Sequence, residues 1–384
     1  MKRHRLIGYM STFAFVAAGC SAIVSYDGYG DGVHTTDAAI GDGNGGGPPG
    51  GDGSSDVTAG DSDLGDVGSD SGDGAPPKKY ALVALGGSRH VDGSVVRQTI
   101  VEIAPIHDDG TLGTFAVTTP LLAIEDNIGA AAVGSTVVVN DNAQAAAAVV
   151  QPDGGLSPWA TIANTGHDNP TLAAIGSNVY LAAGTVSDVE IATTWRSTVT
   201  APGVVTSWFS QTALPADGGP REDTVMVAHG SSLFLVGGNI NGPELGNYLT
   251  ANVDNAGAIG AWSFGALPAT GDHIRAVVVR DYLILLGGSY PGIADQTVYS
   301  AHIDPSGALG AWNQGTDGPT LDGPGFCAHG DYAYLVGGYG ALQTDVATVA
   351  YANVGANGFP GVWQATSPLS LPRFYMTCVI VEVP

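Results

Sequence analysis

The chain has 384 residues, enough for one large domain with accessory segments, and carries 58 glycines, three cysteines and a formal charge of −24. From Tyr80 onward there is no lysine, and seven arginines face 25 aspartates and glutamates. That excess argues against nucleic acid or an anionic membrane surface as a partner, since neither offers counter-charge to an acidic body; cations, basic proteins and neutral glycans stay open.

The N-terminus reads as an export signal. Lys2, Arg3, His4 and Arg5 are the basic region, Leu6 to Ala18 the apolar core, and Ala17-Ala18-Gly19-Cys20 the small-residue site. The apolar core is too short for a spanning helix. The site resembles a bacterial lipobox, with Ala17 where Leu is usual. The resemblance implies that residues 1–19 are removed and Cys20 is lipidated, so the membrane is met through the N-terminal lipid only. Ser21, not Asp, follows the cysteine, which implies an outer-membrane lipoprotein of the cell envelope. The bland alternative is a secretory peptide cleaved nearby.

Residues 20–78 change character. Between 21 and 77 there are eleven Asp and no Lys, Arg or Glu, set among Gly, Ser and Pro. With so little aliphatic material this stretch cannot offset its ordering entropy and is expected to be a disordered tether. As a Gly-rich coil it reaches roughly 40 Å. Its Asp-Gly density does not close into a calcium loop, because the spacing fails and there is no glutamate.

From residue 79 to 384 the chain repeats. Apolar β-rich runs end in a small-residue doublet at Gly86-Gly87, Ala183-Gly184, Gly237-Gly238, Gly287-Gly288 and Gly337-Gly338. One further copy fits the long gap, with Asp141-Asn142 in the doublet's place. A second ruler, an apolar residue followed nine positions later by an aromatic, reads Ile106/Phe115, Val150/Trp159, Val199/Trp208, Val253/Trp262, Ile303/Trp312 and Val354/Trp363. Six copies keep that spacing, so this is a repeat architecture. Each copy is four short strands joined by tight turns, a sheet with two apolar faces that it cannot bury alone. The first copy lacks a first strand, and the chain ends in a first strand with nothing after it, so the last strand completes the first copy. Six antiparallel four-stranded sheets closed into a ring predict an all-β, six-bladed β-propeller.

The runs ending in a Gly doublet, the later Trp, and the Pro-Arg openings at Pro220-Arg221 and Pro372-Arg373 resemble Kelch repeats over about residues 79–384. Ile or Val replaces the family's Tyr before the Trp, so this is a divergent Kelch-like pattern. The resemblance implies a scaffold that binds a protein or glycan ligand. A minority of such propellers are enzymes, including galactose oxidase and a sialic-acid mutarotase.

Aligned first strands place an acid at one phase in five copies, Asp126, Asp168, Glu222, Asp272 and Asp322, with Phe374 in the sixth. The residues that follow are Asn127, Asn169, Asp223, His273 and Gly323. First strands line the central channel in the Kelch family, so the acids are expected to ring one mouth, where crowded carboxylates hold a cation or a polyol. The competing reading makes them turn residues at the strand entrances. The histidines do not converge as zinc requires, and no nucleophile elbow, phosphate loop or cofactor motif appears. No catalytic residue is assigned, no cofactor is expected, and galactose-oxidase copper ligands cannot be placed. Cys327 and Cys378 fall on first strands of adjacent blades and read as a disulfide stapling the closing strand or as two buried thiols. The repeating tryptophans read as packing between blades, and Trp195, Tyr290, Tyr339 and Tyr29 as candidates for exposed aromatic contact. These readings favour a binding module over a carbohydrate-active enzyme such as a mutarotase, and over a purely structural surface protein.

Overall fold

The computed structural model describes residues 77–384, apart from 124–125, 272, 288, 291–292, 295 and 341–343; side chains of 289–290 and 293–294 are also left aside. The export segment, Cys20, Tyr29 and the tether as far as residue 76 lie outside the described residues, as does Asp272.

Among the described residues there are strands and turns and no helix. The strands build six antiparallel blades, five of four strands and one with an extra short strand, in a six-bladed β-propeller. The first blade is Thr377–Val383, Lys79–Leu85, Val101–Ile106 and Ala116–Val117 in spatial order, so the end of the chain supplies its innermost strand. Register runs from Lys79 opposite Val383 to Leu85 opposite Thr377, so no sheet edge is left open where the ring joins. The first strands of the other blades are Gly129–Val133, Thr171–Ile175, Val225–His229, Arg275–Val279 and Gly325–His329. All six neighbour one another in a closed cycle around the channel.

Burial explains the unbroken apolar runs. Second strands such as Tyr282–Leu286 are covered on both faces by adjacent blades, whereas outer strands such as Ala116–Val117 face water and stay short. The core is six apolar clusters, one at each boundary between adjacent blades. Each holds one aromatic of the second ruler: Trp159, Trp262, Phe115, Trp208, Trp363 and Trp312 in turn. Three indoles also donate back to the preceding blade, Trp159 to Thr119 O at 3.2 Å, Trp262 to Thr212 O at 3.0 Å and Trp312 to Ala266 O at 3.0 Å.

The glycine doublet has a steric cause. Gly184 and Gly238 sit at φ of 86° and 92°, and a Cβ on either would strike the carbonyl oxygen of Asp168 or Glu222. The Pro-Arg openings anchor the same place. Arg221 is fully buried and donates to the carbonyls of Gly218, Gly219 and Gly237 and to Asn247 Oδ1. Arg373, also fully buried, donates to Gly86 O and Ile100 O at 2.9 Å and to Glu102 Oε2 at 2.7 Å. Burial pushes both guanidinium groups down to about 10, and Glu102 opposes that shift at Arg373. Each arginine thus pins the approach to a first strand onto the doublet and third strand of its own blade.

Cys327 and Cys378 form a disulfide with Cα atoms 6.0 Å apart, inside the distance a bridge allows. It joins the first strand of the sixth blade to the closing strand. With the cysteines 51 positions apart in the sequence, chain entropy predicts about 4 kcal/mol of stabilisation over the reduced protein. Denaturant midpoints for the oxidised protein and for Cys378→Ser should differ accordingly; equal midpoints would show that the seven-residue strand pairing holds the clasp by itself.

Candidate functional site

The first strands enclose a channel of about 370 Å³, lined by residues from all six blades. At one mouth Asn127, Asn169, Asp223, His273, Gly323 and Tyr375 occupy one structural position per blade. All are left-handed, with φ of 50°, 49°, 51°, 50°, 57° and 51°. For residues other than glycine this backbone costs about 1–3 kcal/mol each and persists only where surroundings impose it. Part of the imposition is visible. Asn127 N donates to Tyr375 O at 2.8 Å, His273 N to Asp223 O at 3.1 Å and Tyr375 N to Gly323 O at 2.7 Å, linking neighbouring blades around the rim.

This turn corrects the expected ring of acids. Asn127, Asn169, Asp223 and His273 line the channel, whereas Asp126, Asp168, Glu222 and Asp322 do not. The left-handed residue redirects the chain, so the acids sit one residue back, in short ladders with their own blade. Asp168 bridges Thr185, Glu222 bridges Asn239, Asp322 pairs with Tyr339, and Phe374 bridges Ser88. Asp126 differs: it accepts from Ser88 Oγ at 2.7 Å and pairs with Arg97 Nε at 3.0 Å, both on the first blade. Among the described residues no group of three or more His, Cys, Asp or Glu could hold a metal, so the cation reading gains no cluster. Trp195 is also corrected. It packs in the boundary cluster between the second and third blades and donates to His167 Nε2 at 3.2 Å, so it is no exposed platform. Tyr339 packs at a tilt against His90 and Phe374.

The mouth is polarised. On one side the Glu222 carboxyl is raised by burial and by Asp223, Glu190 and Asp168, with His273 opposing. On the other, Arg275 opens its first strand, two residues after His273. Its Nε and Nη2 are buried and have no hydrogen-bond partner. Burial lowers the guanidinium's pKa, and Asp322, Tyr375 and Asp223 oppose that shift. Between the two sides Asp223 accepts from Asn239 Nδ2 at 3.0 Å and lies 3.5 Å from His273 Nε2. His273 stacks on Tyr375 with ring centroids 5.2 Å apart, and the Tyr375 hydroxyl donates to Asp322 Oδ2 at 3.3 Å. Burial and Asp322 raise the Tyr375 hydroxyl, keeping it a donor. A cation in the channel meets Arg275 and an anion meets Asp223; a neutral ligand with many hydroxyls satisfies both.

No protein-family model matches the chain, and no curated protein matches it. Its fold is similar to that of a solved structure. That structure is of YjhT, with a TM-score of 0.51 and 15% identity, covering 66% of this chain and 87% of that one. At that identity the likeness is one of fold.

Arg275 and Tyr375 escaped the sequence reading. One sits inside a β-run, where an arginine looks like a solvated strand residue, and the other in the copy without an acid. The signal available was the second residue of each acid-led pair, which becomes visible once Tyr375 is aligned with His273.

A second buried polar group lies between the second and third blades. His167 is 2% exposed, accepts from Trp195 Nε1 and contacts Thr193 Oγ1 at 3.2 Å. Burial depresses its pKa from 6.5 to about 4. Between those values the unfolded chain binds the proton and the folded one does not, so stability present above pH 6.5 is lost as pH falls towards 4. The loss reaches about 3 kcal/mol. Melting temperatures of wild type and His167→Gln between pH 7 and 4 should show a shallower decline in the variant; parallel curves would remove His167 as the cause.

Proposed function

We propose that this protein is a divergent Kelch-like propeller, tethered through a lipid on Cys20 in the cell envelope, that binds the polyhydroxylated end of a glycan at the channel mouth. The observation that carries the reading is Arg275, whose buried Nε and Nη2 have no hydrogen-bond partner beside a channel of about 370 Å³. Unmet buried donors are costly in a folded protein unless a ligand or water meets them. A sugar hydroxyl can accept from Arg275 and donate to Asp223, and the channel matches the lower range of small-ligand pockets, about 300–1,000 Å³. Glycan-array screening of the purified protein, followed by calorimetry, should give binding that Arg275→Gln removes. A blank array with no sugar binding by calorimetry rejects the reading in favour of a protein ligand. The anchor is tested separately, by incorporation of a labelled fatty acid that Cys20→Ser abolishes.

One observation favours a second reading, a carbohydrate-active enzyme such as a mutarotase. Glu222 holds its proton to higher pH than an ordinary carboxyl and directly precedes Asp223, which lines the channel. A carboxyl so poised serves proton transfer to and from a bound sugar. Polarimetry on freshly dissolved sugars should then show anomer exchange that slows in Glu222→Gln; exchange at the uncatalysed rate leaves the binding module alone.

A further inference from the structure

Between the fifth and sixth blades lies a small alcove of about 10 Å³. It shares His273, Arg275 and Pro324 with the channel wall, so the two spaces adjoin. Its remaining walls are Leu286 and Gly287 of the fifth blade and Leu321, Asp322 and Gly323 of the sixth. On this measure about 10–15 Å³ holds one water-sized group. The alcove therefore takes a single non-hydrogen atom with its hydrogens, and no sugar ring.

Its polar groups are complementary. Arg275 Nε and Nη2 are buried without a hydrogen-bond partner. Burial lowers that guanidinium, and Asp322 opposes the shift most, ahead of Tyr375 and Asp223. The two acids stand in different spaces, Asp223 on the channel wall and Asp322 in the alcove. Arg275 thus has two unmet donors between two acceptors. Asp322 Oδ2 takes the Tyr375 hydroxyl at 3.3 Å, which fixes the carboxylate and leaves it lone pairs for a further donor. Leu286, Leu321 and Pro324 make the rest of the wall apolar, so the polar side chains on offer inside are Arg275, Asp322 and His273. The backbone keeps the space clear. Gly323 holds, in the sixth blade, the left-handed position that carries a side chain in the other five. A Cβ at 323 would strike the Tyr375 ring, so that wall stays bare.

We infer that the alcove is a specificity subsite for the hydroxyl of an exocyclic hydroxymethyl arm, so that the terminal unit of the ligand is a hexopyranose and not a pentopyranose. Resting on the glycan reading proposed above, this assignment adds the class of sugar. A ring hydroxyl cannot enter the space without bringing ring carbons, for which there is no room; a hydroxyl on a one-carbon arm can. There it accepts from one Arg275 donor and donates to Asp322, while a ring hydroxyl in the channel accepts from the other and donates to Asp223. A single water would meet the same partners in the alcove, and an arm hydroxyl that displaces it reproduces both hydrogen bonds. A pentose offers nothing to the alcove's donor and acceptor, the arrangement by which a site selects for a hydroxyl.

The test is calorimetry of the full chain with methyl glycosides in three pairs: glucose with xylose, galactose with L-arabinose, and mannose with lyxose. The members of each pair differ only by the hydroxymethyl group. In at least one pair the hexoside should bind about tenfold tighter or more. Its 6-deoxy analogue should fall to the level of the pentoside. Asp322→Ala, which removes the acceptor, should bring the hexoside-to-pentoside ratio to within about threefold, and Leu321→Phe, which fills the alcove and leaves the charges in place, should do the same. Equal affinities within every pair, a 6-deoxy sugar that binds like its hexoside, or a ratio unchanged in both variants overturns the inference and leaves the alcove to water. If equal affinities come with binding that Arg275→Gln removes, the glycan reading stands without the subsite. If neither member of any pair binds, the reading fails and the subsite with it.

Discussion

Arg373→Leu is expected to destabilise the propeller by about 3–5 kcal/mol, enough to threaten folding. The guanidinium and Glu102 are both 0% exposed and meet at 2.7 Å. Removing the arginine strands a buried carboxylate whose other hydrogen bond is from Ser370 N at 2.7 Å, and frees the carbonyls of Gly86 and Ile100. The contact also ties the last strand's approach to the first blade, so its loss acts where the ring closes. Arg221 supplies an internal comparison. Its side-chain partner is the neutral Asn247, so Arg221→Leu leaves unmet carbonyls but no stranded charge and should cost less, about 1–3 kcal/mol. Replacing both members of the ion pair, Arg373→Met with Glu102→Leu, should recover most of the loss. Urea midpoints for the three variants beside wild type measure this directly. A loss below about 1 kcal/mol for Arg373→Leu, or a double variant no better than the single, would contradict it.

Arg275→Gln is expected to do the opposite to stability while removing the glycan binding proposed above. The residue as a whole is half-buried, but its Nε and Nη2 are sealed from water without hydrogen-bond partners. Exchanging that charge for a smaller neutral amide should raise stability by about 1–2 kcal/mol in the ligand-free protein. Glycan affinity should meanwhile fall about a hundredfold, the loss expected for one or two hydrogen bonds from a charged donor. The joint outcome is diagnostic. A stable variant that keeps its ligand would make Arg275 an incidental channel residue, and an unstable one would show that Asp322 and Asp223 use it structurally.

Most of the architecture was legible from the chain. Six apolar runs, five of them with small-residue ends, and one aromatic ruler specify six sheets, because a sheet apolar on both faces has to be covered on both. The missing first strand beside Lys79 and the surplus one before Pro384 specify closure, and the register between Val383 and Lys79 completes it. The site was legible only to its phase. Asp126, Asp168, Glu222 and Asp322 do share a position, but the backbones of Asp168, Glu222 and Asp322 serve the ladders at the strand entrances, as a turn role would have it, and the Asp126 carboxylate holds Ser88 and Arg97. The residues facing the channel lie one step further on, and periodicity is blind to a step produced by a φ of about 50° at Asn127, Asn169, Asp223, His273 and Tyr375.

The amino-acid sequence by itself determined the number of blades, the strand order within each and the strand that shuts the ring. Those follow from local patterns of apolar, small and aromatic residues repeated at one spacing. Only the tertiary structure decided which polar side chains meet, because Asp223, His273, Arg275, Asp322 and Tyr375 come from different blades. Their proximity is set by the curvature of the ring, which no single repeat encodes. The same curvature brings Cys327 within bonding distance of Cys378.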